Sequence, residues 1–176
     1  MINEEDFNEE YVLEVAKSMC VASRTAPKAR GRDNLVIKIC DKKDILLISK
    51  QLEKDYKEKQ QEFLLRDSQN ILLATNIVLI ATHTVVFGLD CGYCGFASCK
   101  EKEEKAPNAP CFFNSNDLGI AVGSACSVAS ERKVDSRVMF YAGNAAKEIG
   151  MVKDCNQCLA ICLSATNKNP FFDRCQ

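Results

Sequence analysis

Residues Asn76-Ile77-Val78-Leu79-Ile80-Ala81 are the stretch that decides the fold of this chain. From Ile77 onward the run is apolar without a break, and it is too short for a typical helix. Short apolar runs rich in β-branched residues are typical of buried strands. The sequence therefore predicts a buried β-strand here, and a cysteine-rich block follows it soon afterwards.

Outward from this strand, apolar spacing predicts helices and two further strands. The helix over 117–132 is rich in Gly, Ala and Ser, so another part of the chain can approach its backbone closely. We expect one α+β domain over residues 1–176, in which a small sheet is flanked by helices. The predicted helices cover residues 5–22, 61–73, 117–132 and 136–150, and one further helix carries Ile45, Ile48 and Leu52. The predicted strands cover residues 35–39, 76–81 and 159–163.

Composition narrows the range of functions. Net charge is −1, with 23 basic and 24 acidic side chains, so nothing indicates binding to nucleic acid or to an anionic membrane. The longest apolar stretch, Ile71 to Phe87, is too short and too polar to span a bilayer. The 11 cysteines are an odd number and follow an acidic N-terminus, which argues against a secreted disulfide scaffold. We expect a cytoplasmic protein whose thiols stay reduced.

The cysteine block is the strongest functional signal. It reads Cys91-Gly-Tyr-Cys94-Gly-Phe-Ala-Ser-Cys99 and is followed by Cys111. Thiolates are soft ligands that suit iron–sulfur clusters and zinc. Gly92 and Gly95 permit the tight turns that bring several sulfurs together. The spacing favours a 4Fe–4S cluster, because three ligands are compact and the fourth stands alone.

Two other uses of the cysteines stay open. Four thiolates also make a closed tetrahedral zinc site. The ligands of zinc sites, however, more often come as two pairs, each separated by a short gap in the sequence. A second metal site could use a later group of cysteines, although free cysteine in an apolar strand often serves as a small buried hydrophobe. This later group consists of Cys155, Cys158, Cys162 and Cys175.

The cysteine block resembles the compact 4Fe–4S domain of electron-transport complex subunits and corrinoid iron–sulfur proteins. Four motifs distributed over the chain carry a more specific resemblance: Gly88 to Phe96, Asp117 to Ser124, Val134 to Met139 and Lys168 to Arg174. Together they resemble a family of ferredoxin-domain-containing proteins from anaerobic bacteria and archaea. The resemblance implies a 4Fe–4S cluster, held in a loop inserted at 88–113 with Cys91, Cys94, Cys99 and Cys111 as iron ligands.

The order of elements around the Ala26-Pro27 loop is similar to that of nitroreductase-like flavoproteins. This resemblance implies a nitroreductase-like scaffold in which a basic loop and a late arginine approach FMN. The residues that would lie beside the flavin are Arg24, Lys28, Arg30, Asn34 and Arg174.

Three functions follow as expectations. The first is one-electron transfer through one 4Fe–4S cluster, in an oxidoreductase system with a redox partner protein. The second is an FMN-dependent reductase that the cluster supplies with electrons, and the third is a zinc-stabilised interaction module. A homodimer is the expected assembly of the chain itself.

Overall fold

The computed structural model describes residues 1–172 and contains six helices and four strands over that range. Three short 3-10 helices accompany them at Glu4–Asp6, Ala29–Gly31 and Pro170–Phe172. Among the described helices, none combines the length and the apolar composition that a membrane span requires. In chain order the elements are α1 (Asn8–Thr25), β1 (Leu35–Cys40), α2 (Lys42–Lys59), α3 (Glu62–Ile71), β2 (Asn76–His83), α4 (Cys99–Lys105), α5 (Phe112–Glu131), β3 (Asp135–Met139), α6 (Phe140–Glu148) and β4 (Cys155–Ser164).

The four strands form one antiparallel sheet in the order β1-β2-β4-β3. β2 and β4 are therefore the inner strands, and every residue of β2 from Asn76 to Thr82 is buried. The predicted buried strand is confirmed. Its apolar run has no polar alternation because helices cover both faces of the sheet.

Successive side chains of β2 point to opposite faces and enter two separate cores. Ile77 and Leu79 pack with α2, α3 and α6, whereas Val78 and Ile80 pack with α1 and α5. The predicted α+β class and the small sheet flanked by helices are both confirmed.

The helix predicted over 136–150 is wrong in its first part. Asp135–Met139 is the edge strand β3, and only Phe140–Glu148 is helical. β3 pairs with β4 from Asp135↔Ser164 to Met139↔Ala160. Its own residues carry a weak strand signal, so this long-range pairing decides the conformation.

The helix predicted to begin at Asp117 begins five residues earlier, at Phe112, and Cys111 is its N-cap residue. Asp117 instead lies inside α5, where its carboxylate accepts a hydrogen bond from the Ala29 amide at 3.0 Å.

The prediction that another part of the chain closely approaches the backbone of α5 is confirmed. Two serines make the contact with α1, because Ser23 donates to the Ala121 carbonyl and Ser124 to the Ala22 carbonyl, each at 3.1 Å.

Helix α6 lies so close to β4 that only glycine fits at position 143. A Cβ atom there would lie 2.7 Å from the carbonyl carbon of Cys158 and 2.8 Å from the Leu159 Cα. These atoms belong to the backbone of an inner strand, which cannot move aside without disturbing the sheet.

We therefore predict that Gly143→Ala lowers the free energy of unfolding by about 1–3 kcal/mol, the usual cost of overpacking. Urea denaturation followed by circular dichroism measures this change. Gly123→Ala in α5 is the matched control, since no atom beyond its chain neighbours and its own helix backbone lies within 4 Å of the added methyl group. The control should be as stable as the original chain or up to about 1 kcal/mol more stable. Equal stability of the two variants would contradict the close packing of α6.

Candidate functional site

The segment between β2 and α5 carries all four cysteines of the predicted cluster site. It contains several residues with left-handed backbone conformation, among them Gly92 (φ 73°) and Gly95 (φ 87°). The Gly95 amide donates to the Gly92 carbonyl at 2.9 Å, which closes a tight turn around Cys94. The predicted use of glycine in tight turns is confirmed.

Asp90 joins the two ends of the compact cysteine motif. Its carboxylate accepts a hydrogen bond from the Cys99 amide at 2.6 Å, and its own amide donates to Cys99 Sγ at 3.4 Å. Asp90 itself has φ 46°, a conformation that aspartate tolerates better than most residues. These two hydrogen bonds hold Cys99 close to the start of the motif, which begins at Cys91.

Cys111 is fixed to the start of α5 by Asn114. The Asn114 carboxamide oxygen accepts from the Cys111 amide at 3.2 Å and from the Val85 amide at 3.3 Å. Asn114 is 1% exposed, so this link between the exit of β2 and the start of α5 is shielded from water. The N-terminal end of α5 carries partial positive charge, which favours an anionic group beside Cys111.

The four cysteines line one recess, although they are spread over 21 residues of sequence. The recess is narrow, with a cavity volume of about 10 Å³, about the room that one water molecule needs. Within residues 1–172, no three His, Cys, Asp or Glu side chains are grouped so that they could hold a metal ion. The sulfurs therefore surround a common space without converging on a single point. Aromatic and aliphatic side chains complete the wall, among them Phe87, Leu89, Phe96 and Phe113.

Two charged side chains of the basic loop predicted to lie beside a flavin contact other groups of the same chain. Arg24 pairs with Asp33 at 2.7 Å and donates to the Leu35 carbonyl at 3.0 Å. Lys28 donates to three carbonyls at the end of α1, those of Ser23, Arg24 and Ala26. These two cations therefore stabilise the turn after α1.

The remaining predicted flavin residues have different surroundings. Arg30 donates to the Phe87 carbonyl at 2.8 Å, which ties the basic loop to the cysteine segment. The Asn34 carboxamide nitrogen is buried and has no hydrogen-bond partner among the described residues, while the Asn34 carbonyl accepts from the His83 amide. Arg174 lies outside the described residues.

A second cavity, which sequence reasoning missed, lies where α5, α6 and β4 meet. Its volume is about 450 Å³, within the usual range for small-molecule sites. Lys147 donates to the Asn156 carbonyl at 3.2 Å on its wall, and the buried Asn156 Oδ1 has no hydrogen-bond partner among residues 1–172. No local sequence signal marks it, because three separate elements supply the wall. Its lining includes Ser115, Leu118, Phe140, Asn144, Lys147 and Gln157.

The later cysteines lie against the core on the α2 and α6 side of the sheet. Burial raises the pKa of Cys155, raises the pKa of Cys158 to about 12, and also raises the pKa of the fully buried Cys162. Thiols held in the protonated state are poor metal ligands. Cys175, the remaining member of the predicted second group, lies outside the described residues.

Comparison with known proteins places the chain in a family. Residues 107–174 match the family described as "uncharacterized protein containing a ferredoxin domain (DUF2148)". An uncharacterized protein from Archaeoglobus fulgidus is 36% identical over 181 residues, which covers 99% of this chain and 97% of the relative. The chain belongs to this ferredoxin-domain family. The segment matched to the family includes Cys111 but starts after Cys91, Cys94 and Cys99.

Solved structures that resemble this member of the ferredoxin-domain family have the nitroreductase fold, which confirms the predicted scaffold. A nitroreductase with bound FMN from Bacteroides fragilis has a TM-score of 0.60 at 10% identity, covering 88% of this chain and 79% of that one. A BluB-like flavoprotein from Clostridium difficile has a TM-score of 0.57 at 18% identity, covering 88% and 82%. An NADPH:FMN oxidoreductase from Vibrio harveyi has a TM-score of 0.56 at 10% identity, covering 92% of this chain. The chain spans 63% of the length of that enzyme. At these identities the likeness establishes the fold alone.

The two groups of cysteines should differ in their reactivity in the metal-free protein. We predict that iodoacetamide at pH 8 alkylates the exposed Cys91 rapidly and leaves the buried Cys158 and Cys162 unmodified. A raised pKa keeps a thiol protonated until the pH approaches that value, so moving to pH 10 should not make Cys158 reactive. Peptide mapping by mass spectrometry measures the modification, and full labelling after denaturation is the control. Equal labelling of both groups in the folded protein would contradict this assignment.

Proposed function

We propose that this protein is an iron–sulfur electron carrier that holds one 4Fe–4S cluster and serves a cytoplasmic oxidoreductase system. One observation carries the proposal: Cys91, Cys94, Cys99 and Cys111 line a single recess although the last is distant in sequence. A bound 4Fe–4S cluster would supply one-electron transfer at this position. The ferredoxin domain named in the description of its family supports the same redox role.

The surroundings of the recess suit such a cluster. The Asp90 amide already donates to Cys99 Sγ, and amide hydrogen bonds to cluster sulfurs adjust the reduction potential. The Gly95 amide is not available for such a bond, because it donates to the Gly92 carbonyl. The partial positive charge at the start of α5 offsets the negative charge of thiolate ligands near Cys111.

The arrangement of sulfurs favours a cluster over the zinc alternative. A tetrahedral zinc ion needs four sulfurs about 2.3 Å from one point. A cluster contributes its own iron and sulfide atoms, so its thiolates stand farther apart around a larger body. The cysteine spacing, with three compact ligands and a fourth after a long gap, fits the second arrangement better.

The recess lies near the surface, as exchange of electrons with a partner protein requires. Cys91 is exposed, and Tyr93, in the same turn, is 69% exposed. The Tyr93 ring packs edge-on against Phe112, with ring centroids 5.1 Å apart. These residues leave one side of the site accessible and cover the other with aromatic groups.

The proposal predicts about four iron and four sulfide per chain after anaerobic purification, with absorbance near 400 nm that bleaches on reduction. Cys99→Ser should lose most of the iron and the absorbance, because serine replaces a thiolate ligand. Cys162→Ser is the matched control, since Cys162 lies in the core away from the recess, and it should retain a full cluster. Zinc in place of iron, or a full cluster in Cys99→Ser, would contradict the proposal.

A flavin-dependent reductase is the second candidate, and the cavity between α5, α6 and β4 is the observation that favours it. The cavity begins at Ser115, about one helical turn from Cys111. It offers apolar walls, carboxamides and the Lys147 ammonium, a combination that suits a planar ring with an anionic tail. The cations of the basic loop are less available, because Arg24 and Lys28 already have partners.

We predict that the purified protein quenches FMN fluorescence on titration and that Lys147→Met weakens binding roughly tenfold, by removal of one charge-assisted contact. Arg24→Met is the matched control, and it should bind FMN as the original chain does because Arg24 is paired with Asp33. A loss confined to Arg24→Met would place FMN at the basic loop. No saturable binding up to millimolar FMN would remove the flavin function.

A further inference from the structure

Lys102 is an unusually buried lysine beside the candidate cluster site. It lies in α4 and is 1% exposed, among the largest fully buried side chains of the protein. Lysine is almost never fully buried unless an opposite charge accompanies it. Two other lysines of this helix behave ordinarily, because Lys100 pairs with Glu104 and Lys105 with Glu101 at the surface.

No carboxylate of the described residues forms an ion pair with Lys102. Its ammonium donates to the Pro107 carbonyl at 3.2 Å, which is a neutral acceptor. One neutral hydrogen bond does not compensate the removal of a full positive charge from water. The burial of this charge therefore calls for an anion that the described side chains do not supply.

The position of Lys102 connects it to two of the four proposed ligands. It follows Cys99 by three residues on the same helix, a spacing that puts both side chains on one face. Pro107, its hydrogen-bond partner, lies four residues before Cys111 in the turn that leads to that cysteine. The Lys102 side chain thus links the helix that carries Cys99 to the turn that leads to Cys111, from a position just outside the wall of the recess.

We propose that Lys102 is a built-in countercharge for the cluster and that it raises the reduction potential. This inference rests on the proposed iron–sulfur function. Four thiolates outnumber the positive charge of a 4Fe–4S core, so the loaded site is anionic. Reduction adds one electron and therefore one further negative charge. A fixed cation close by in a region that excludes water stabilises the reduced form more than the oxidised form.

The test is a redox titration of the anaerobically loaded protein, followed by electron paramagnetic resonance. Lys102→Met keeps the length of the side chain and removes its charge, and Lys102→Gln also keeps a hydrogen-bond donor. Both variants should shift the reduction equilibrium toward the oxidised form by roughly tenfold, which is about 59 mV for one electron. Lys100→Met removes the same charge from the surface of α4, where solvent screens it, and should shift the potential several times less.

A second measurement separates a countercharge from a simple structural link. In the metal-free protein the buried charge has no anion, so Lys102→Met should be at least as resistant to urea as the original chain. A potential unchanged in both Lys102 variants, with Lys102→Met less resistant to urea, would make Lys102 a structural link to Pro107 and overturn the inference. Absence of iron and sulfide from the original chain would instead overturn the proposed function itself.

Discussion

The burial of β2 on both faces is the constraint on which the rest of the structure depends. Because Ile77 and Val78 enter opposite cores, helices must cover both sides of the sheet, and α5 is one of the two that cover the side of Val78. The chain leaves the sheet at the end of β2 and packs against the sheet again as α5. The cysteine segment is therefore held between two rigid, buried elements. Asn114 completes this arrangement by bonding the amides of Val85 and Cys111 with one carboxamide oxygen. The fold thereby fixes both ends of a segment whose interior consists of turns and the short helix α4.

Sequence reasoning succeeded where the signal is local. The apolar run of β2 and the cysteine motif from Cys91 to Cys99 can each be read from neighbouring residues. It failed where the conformation depends on distant partners. Asp135–Met139 forms a strand because it pairs with β4, and the cavity beside Lys147 exists because α5, α6 and β4 meet there. The start of α5 was missed because a cysteine is an unusual N-cap residue, and the Asn114 side chain that supports it is not recognised by ordinary capping patterns.

The basic loop shows how tertiary partners limit the availability of cations that the sequence alone would assign to a ligand. Its residue types suit a phosphate or a flavin ring, yet Arg24 pairs with Asp33 and Lys28 closes the end of α1. Arg30 is bound to the Phe87 carbonyl, immediately before the cysteine segment. A guanidinium that must leave such partners before it can bind a ligand loses much of the gain. Those partners are set by tertiary structure. The presence of a basic residue in a sequence therefore does not tell whether its charge is free to bind a ligand.

The fold also makes the two candidate cofactors compatible. Cys111 caps α5, and Ser115 begins the wall of the large cavity four residues later on the same helix. At 1.5 Å per residue, Cys111 and Ser115 are about 6 Å apart along the axis of α5. An electron carrier and an organic acceptor at that separation would be neighbours without sharing a ligand. The cysteine segment forms a thiol-lined recess at the end of a helix whose side leads into the cavity, and a single rigid element positions both.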